Sequence, residues 1–149
     1  MRFGFSPLCA LTICALLLAG CGGGDERLSR AEFVEGATAI CDSVDQRVEA
    51  LGEPQSLEEV ETLGQELGEI LDEGLGELRE LEPPEELEEP YARYLESGDE
   101  VADQLDELVA AAAAGDQAAV ERAANDGEAI SDRAVALAAA AGIPGCEDD

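Results

Sequence analysis

The residues between positions 87 and 112 repeat at alternating steps of four and three, and this period constrains the fold more than any other feature of the chain. The repeat consists of Leu87, Tyr91, Tyr94, Gly98, Val101, Leu105, Leu108 and Ala112. Such spacing places the side chains on one face of an α-helix. No stretch of the chain shows the apolar–polar alternation of a half-buried strand. We therefore predict an all-α protein.

The first of four predicted helices opens at an S-x-x-E capping box formed by Ser29 and Glu32. Leu28 is placed to staple onto Phe33 across this helix start. The sequence "GEP" at 52–54 predicts the end of the helix. Its predicted inner face comprises Phe33, Val34, Ala37, Ile40, Cys41, Val44, Val48 and Leu51.

The second predicted helix opens at Ser56 and Glu59, which repeat the capping box, and ends at "EPP", residues 82–84. Its predicted stripe comprises Val60, Leu63, Leu67, Ile70, Leu71, Leu78 and Leu81. Four glycines interrupt this segment, at a cost of about 1 kcal/mol each relative to alanine. They are Gly64, Gly68, Gly74 and Gly76. They either let a neighbouring helix approach closely or weaken the helix.

Pro90 marks the start of the third helix or a kink near it, and Gly115 with Asp116 ends that helix and caps the fourth. The fourth ends at "AGIPG", with Gly142 at its C-terminus and Pro144 just beyond. Its predicted inner face comprises Val120, Ala124, Ile130, Ala134, Leu137 and Ala141. Short connections make sequence neighbours antiparallel, which predicts an up-down four-helix bundle. The alternative is a three-helix bundle in which the glycine-rich second segment breaks up.

Residues 1–20 have the features of a signal peptide, with Arg2 followed by the apolar stretch "PLCALTICALLLAG". The sequence "LAGC" at 18–21 resembles the lipobox of bacterial lipoproteins. This resemblance implies cleavage before Cys21 and attachment of two or three palmitate-type acyl chains, enough for firm membrane anchoring. Residues 21–28 then form a glycine-rich linker, and 29–149 form the bundle domain. The alternative is an ordinary secretory signal in which the cysteine occurs by chance.

Lipidation of Cys21 and loss of residues 1–20 would leave Cys41 and Cys146 as the remaining cysteines. Thiols outside the cytoplasm are usually oxidised, and two cysteines allow one pairing. The five residues after Ala141 reach at most about 17 Å, just enough to return to Cys41. A disulfide closing a loop of about 100 residues contributes roughly 4–5 kcal/mol in the chain-entropy model. We therefore predict one disulfide.

The mature chain would carry seven arginines against 36 acidic residues, a side-chain charge of −29. Such a charge repels nucleic acid and anionic lipid headgroups. Partners selected by charge would be basic envelope proteins or cations. The alternative is that the charge only keeps the surface soluble and self-repelling.

The sequence contains no histidine, which removes the commonest general base and metal ligand. It also lacks G-x-S-x-G, P-loop and G-x-G-x-x-G motifs. We therefore predict no catalytic residue, cofactor or metal site and no enzymatic activity. Acidic clusters such as "EPPEELEEP" favour a solvated surface over a calcium site. Tyr91 and Tyr94 are predicted to be core residues at one bundle end with their hydroxyls in water, or else to line a small groove.

Three stretches carry a further resemblance: "AEFVEGATAIC" at 31–41, "ELRELEPPEELEEPYARYLE" at 77–96 and "AAAAGIPGC" at 138–146. Together they resemble an uncharacterised family of small secreted helical lipoproteins common in actinobacteria. The resemblance supports the helical bundle and the pairing of Cys41 with Cys146, and it implies no activity.

The leading functional hypothesis is a lipid-anchored, non-enzymatic cell-envelope protein. It would lie on the extracytoplasmic face of the cell membrane and act as an interaction or structural module. The alternative is a ligand-binding module for divalent cations or a small hydrophobic molecule.

Overall fold

Four helices make up nearly all of the computed structural model, which describes residues 27–146. They are α1 (Arg30–Leu51), α2 (Leu57–Arg79), α3 (Glu88–Ala113) and α4 (Gln117–Ala141). A 3₁₀ turn, Glu85–Leu87, precedes α3, and a second, Pro144–Cys146, follows α4. No strand occurs between residues 27 and 146. The prediction of an all-α four-helix bundle is confirmed, and the three-helix alternative is wrong because α2 is continuous. The predicted signal peptide, Cys21 and most of the linker lie outside the described residues.

The helix starts follow the sequence signals closely, with one exception. Ser29 and Glu32 form the complete capping box, the Ser29 hydroxyl accepting the N–H of Glu32 and the carboxylate accepting that of Ser29. At α2 the Ser56 hydroxyl accepts the N–H of Glu59, but the Glu59 carboxylate accepts the N–H of Gln55 at 2.6 Å instead. The second box is therefore only half formed.

The helix ends differ from the predictions by a few residues. α2 ends at Arg79, before the "EPP" sequence at 82–84, so Leu81 packs against the core from beyond the helix. α3 begins at Glu88, and Pro90 lies in its first turn, where a missing N–H costs little. α4 ends at Ala141 and is capped by Gly142, which has a left-handed φ of 73° as predicted for a glycine cap.

The largest buried side chains lie at one end of the bundle. Phe33 near the start of α1, Leu78 near the end of α2 and Tyr91 near the start of α3 belong to one cluster with Ala138 near the end of α4. Because starts and ends of successive helices meet in this cluster, neighbouring helices are antiparallel. Ile143, just after α4, is also fully buried here.

The other end of the bundle is packed with small residues. Its buried residues are Gly64, Ala112 and Ala123, whereas the larger apolar side chains nearby, such as Leu63, are only half-buried. Ala124, predicted to face inward, is exposed, and its neighbour Ala123 is buried instead. Helix α4 is so rich in alanine that its apolar period does not specify which alanines face the core.

Three glycines allow close contact between helices. A Cβ on Gly64 would lie 2.5 Å from Val109 Cγ2, and one on Gly74 would lie 2.5 Å from Val44 Cγ2. A Cβ on Gly98 would overlap Leu75. A Cβ on Gly76, by contrast, would meet no neighbouring atom. The close-approach interpretation therefore holds for Gly64 and Gly74 in α2, and Gly76 contributes only its helix-weakening cost.

A disulfide joins Cys41 to Cys146 with 5.2 Å between their Cα atoms, as predicted. The second 3₁₀ turn, which carries Cys146, contacts both α1 and α4. These two helices make few direct contacts with each other. The bridge therefore closes the bundle on the side where helix packing alone is weakest.

Arginine side chains link neighbouring helices across the acidic surface. These ion pairs are Arg47–Glu73 between α1 and α2, Arg79–Asp99 between α2 and α3, and Arg133–Glu100 between α4 and α3. All six side chains are substantially exposed, and such pairs typically contribute about 0–1 kcal/mol each. Their main effect is to place scarce positive charge where acidic helices adjoin.

Candidate functional site

A partly open cavity of about 260 Å³ lies between the four helices. It lies where α1 and α4 make few direct contacts, and both helices contribute to its wall. The 3₁₀ turn after α4 also borders it through Cys146. The gap between α1 and α4 therefore continues into the interior of the bundle.

Aliphatic side chains form most of the cavity wall. They come from every helix and include Val44, Leu71, Val101 and Val135. Gly74 and Gly98 also face it. Such a wall offers an occupant dispersion contacts and little hydrogen bonding.

Polar groups reach the cavity at three points. Asp45 on α1 is half-buried, Ser131 on α4 is exposed, and Tyr94 on α3 is half-buried beside the disulfide. The Tyr94 hydroxyl lies 3.9 Å from Cys41 Sγ. Asp45 is the one charged side chain among the described residues that line the cavity. The lining is therefore mainly apolar, with one acidic residue.

Tyr91 belongs to the buried core cluster and is more buried than predicted. It is 3% exposed, and its hydroxyl donates to the carbonyl oxygen of Leu78 at 2.6 Å. Its ring meets Phe33 edge to face, with 4.8 Å between centroids. The expectation that both tyrosine hydroxyls face water is therefore wrong for Tyr91. The groove alternative fits Tyr94, which borders the cavity.

Burial raises the pKa of Tyr91 above the ordinary value of 10.0, and the neighbouring Tyr94 adds a smaller effect in the same direction. Because the folded-state pKa is raised, the resulting stabilisation is complete below about pH 10 and is lost as the pH rises towards the folded-state value. The fold should therefore weaken in alkali through this residue.

Tyr91→Phe should lower the free energy of unfolding at pH 8 by about 1 kcal/mol, a typical net hydrogen-bond contribution. The cost stays small because the Leu78 oxygen keeps the N–H of Leu81 as a donor. At pH 11 the difference should shrink or reverse, since phenylalanine cannot ionise. Urea titrations at both pH values measure this. Equal loss of stability between pH 8 and 11 in both proteins would contradict the assigned role of the buried hydroxyl.

A second hollow lies at the loop between α1 and α2 and is lined mainly by polar side chains, including Glu53, Glu58 and Glu59. Glu59 is already engaged with the N–H of Gln55. Within residues 27–146, no three acidic or cysteine side chains are grouped so that they could hold a metal ion. The hollow therefore lacks the convergent oxygen ligands that a calcium site requires.

The structure brings Cys41 and Cys146 together beside the cavity, whereas Cys21, the predicted lipidation residue, lies outside the described residues. Within the described helices, none has the length and apolar character needed to cross a bilayer. Sequence reasoning did not single out Asp45 or Ser131. The sequence feature that could have pointed to the cavity was Gly98, which lines it. This glycine occupies a seam position of α3 and lets Leu75 approach closely.

No protein-family model, curated protein sequence or solved structure matches this chain. The resemblance to small actinobacterial lipoproteins therefore stays a prediction.

Proposed function

We propose that this protein is a lipid-anchored, non-enzymatic cell-envelope protein that acts as an interaction or structural module. It would be held on the extracytoplasmic face of the cell membrane through acyl chains on Cys21. Its domain would be the disulfide-closed bundle, and the glycine-rich linker would separate that domain from the bilayer.

The observation that carries the proposal is the disulfide between Cys41 and Cys146. Disulfides persist in oxidising compartments and are rare in the cytosol. Of the five cysteines in the sequence, Cys9 and Cys14 lie within the predicted signal peptide. With the bridge formed, Cys21 is the single thiol of the predicted mature chain, and it stands at the end of the lipobox-like "LAGC".

The surface charge favours an interaction role with basic partners. The whole chain has a formal net charge of −28. Five of the arginines in the described residues form ion pairs with acidic residues of their own chain, as Arg47 does with Glu73. Outward-facing carboxylates steer cationic partners towards the domain and repel anionic lipid headgroups. The absence of histidine and of nucleophile motifs from the sequence is the reason for proposing a non-enzymatic role.

The anchor is tested by expressing the full chain, Cys21→Ser and the matched control Cys14→Ser in a bacterium that processes lipoproteins. The unaltered chain and Cys14→Ser should sediment with membranes, and mass spectrometry should find a diacylglyceryl group on residue 21. Cys21→Ser should lose both properties. An unlipidated residue 21 in the native protein, or Cys41 and Cys146 trapped as free thiols by alkylation, would overturn the proposal.

The interaction role is tested in the same cells by short-range cross-linking to carboxylates. Adducts should form with basic envelope proteins and should diminish when the cells are treated in molar sodium chloride, because salt screens surface charge. Adducts confined to acidic proteins, or insensitive to salt, would contradict the role given to charge.

A further inference from the structure

The four helices adjoin along four junctions, and these differ in how they are closed. An arginine ion pair crosses each of the junctions α1–α2, α2–α3 and α3–α4. In that order the pairs are Arg47–Glu73, Arg79–Asp99 and Arg133–Glu100. At the α1–α4 junction the two helices make few direct contacts, and the turn carrying Cys146 joins them at one end. The α1–α4 junction is therefore the open side of the bundle.

The arginines of α1 and α4 are engaged elsewhere. Arg47 and Arg133 pair with α2 and α3, and Arg122 donates from Nε to a backbone carbonyl oxygen of its own helix. Arg30, the first residue of α1, lies beside Gly142 at the disulfide end. These four are all the arginines of the two helices. The positive charges of both helices therefore lie away from the open part of the junction.

Carboxylates flank the open junction on both helices. Glu49 lies four residues after Asp45 on α1, and Glu128 lies three residues before Ser131 on α4. Residues three or four apart share a helix face, and Asp45 and Ser131 line the cavity. Asp45 already has an interaction within the chain. Glu49 and Glu128, by contrast, are exposed, and neither forms an ion pair with another residue between 27 and 146.

The aliphatic side chains of the cavity wall keep part of their surface exposed. Those that are only half-buried include Val44, Val48, Leu67, Leu71, Val101 and Val135. Because burying apolar surface is favourable, an apolar occupant would be stabilised here. The cavity volume of about 260 Å³ corresponds to roughly nine non-hydrogen atoms at ~30 Å³ each. Two leucine side chains, with four carbons each, are close to that size.

Charge distinguishes between the partners that could cover this junction. A second copy of the chain would bring a further net charge of −28, and two strongly anionic surfaces repel each other. An anionic partner of another kind is disfavoured for the same reason. A helix with an apolar stripe flanked by lysine or arginine would place apolar side chains in the cavity and cations beside Glu49 and Glu128. It would thereby supply the positive charge that arginines supply at the other three junctions.

We propose that the open junction between α1 and α4 binds an amphipathic helix of a partner protein. Two adjacent leucine-like side chains of that helix fill the cavity, and basic residues beside them face Glu49 and Glu128. This is the helix-in-groove mode of recognition. The inference rests on the interaction role proposed above and gives that role a location on the domain. A second copy of this chain, and a contact driven by charge without insertion, are the competing outcomes of the test.

The probe is a synthetic amphipathic peptide of about 18 residues, roughly five helical turns, with a leucine stripe flanked by lysines. One control peptide has the same composition in scrambled order, and a second keeps the stripe but carries glutamate in place of lysine. Each is titrated by calorimetry into the predicted mature chain with Cys21→Ser, in about 0.15 M sodium chloride to screen nonspecific attraction. We expect saturable one-to-one binding of the basic amphipathic peptide, at least tenfold tighter than either control. Its failure to bind, or equal binding by either control, would overturn the proposal.

A matched pair of variants tests insertion into the cavity. Ala134 lines the cavity from α4, so Ala134→Leu occupies space that the peptide needs and should weaken its binding at least tenfold. Ala136→Leu, at an exposed position of the same helix, should leave binding unchanged. Equal effects of the two substitutions would place the peptide outside the cavity and contradict the proposal.

A second pair tests the flanking charges. The double variant Glu49→Gln with Glu128→Gln should weaken binding about fivefold, the effect of losing two exposed charge pairs. The control, Glu69→Gln with Glu107→Gln, removes the same charge at exposed positions of α2 and α3 that are outside the lining and should leave binding unchanged. Equal weakening by both double variants would mean that overall charge, and not the open junction, attracts the peptide.

Methyl NMR on the chain with an unaltered cavity keeps the test decisive if Ala134→Leu does not fold. Saturating basic amphipathic peptide should shift the methyl resonances of Val44, Leu71 and Val101, which line the cavity. Leu81, half-buried against the core and outside the lining, should not shift. Shifts confined to residues outside the lining would overturn the proposal.

Sedimentation of the chain without peptide tests the second copy as occupant. We expect a monomer, because the two acidic surfaces repel each other. A dimer that Ala134→Leu dissociates would assign the junction to self-association and overturn the proposal. Failure here is distinguishable from failure of the interaction role. Salt-sensitive adducts with basic envelope proteins in cells, combined with no peptide binding at the junction, would overturn the location alone.

Discussion

Replacing both Cys41 and Cys146 with alanine should lower the free energy of unfolding by about 4–5 kcal/mol, the chain-entropy value for a loop of about 100 residues. The two residues are 105 positions apart, so the bridge restricts nearly the whole unfolded domain. For a domain of this size the loss corresponds to a fall in Tm on the order of 15–20 °C. Thermal unfolding followed by circular dichroism measures it.

The effect should be large because the bridge acts where the bundle has little other support. α1 and α4 make few direct contacts, and the turn carrying Cys146 contacts both. Freed from Cys41, this turn can leave the core and expose Ile143, which is fully buried in the folded domain. Undocking of α4 from α1 then becomes an early step of unfolding.

A phosphine reductant provides the control for this experiment. It should lower the Tm of the unaltered protein to that of the double variant and leave the double variant itself unchanged. A double variant as stable as the oxidised protein would show that helix packing alone closes the bundle.

Local signals in the sequence predicted the helices well. The backbone N–H and C=O groups left over at a helix end find hydrogen-bond partners within a few residues. Ser29, Asp116 and Gly142 act at the predicted positions for this reason: each cap bonds or turns the backbone beside it. The disulfide was also predictable, since two cysteines remained in the predicted mature chain once Cys21 was assigned to the lipid, and the tail after Ala141 could reach Cys41.

One local signal was incomplete, because Glu59 fits a capping box by spacing, yet its carboxylate accepts the N–H of Gln55. Features that depend on contacts between helices were not predictable from single residues. Ala123 and Ala124 are equivalent in the sequence, and only the packing of α4 on α3 distinguishes them. The cavity is the extreme case, because it depends on how far α1 lies from α4. That distance depends on packing against the other helices, such as the close approach of α1 to α2 at Gly74, and not on any local period.

Large side chains are buried at one end of the bundle and small ones at the other. Apolar burial should therefore contribute unevenly to stability along the bundle, and Phe33→Ala should show this. Phe33 is 0% exposed and packs its ring against Tyr91, so its truncation should cost about 3–5 kcal/mol through lost burial and the remaining cavity. That is a large part of the 5–15 kcal/mol typical of whole domains.

Leu63→Ala, at the opposite end, is the matched comparison. Leu63 is only half-buried. The buried residues at its end of the bundle are Gly64, Ala112 and Ala123, whose small side chains offer Leu63 few contacts. Its truncation should therefore cost about 1 kcal/mol, well below the 2–5 kcal/mol of a fully buried leucine. Urea denaturation of both variants with the disulfide intact measures the difference. Equal costs would mean that apolar burial is spread evenly along the bundle and that the end beside the disulfide does not dominate its stability.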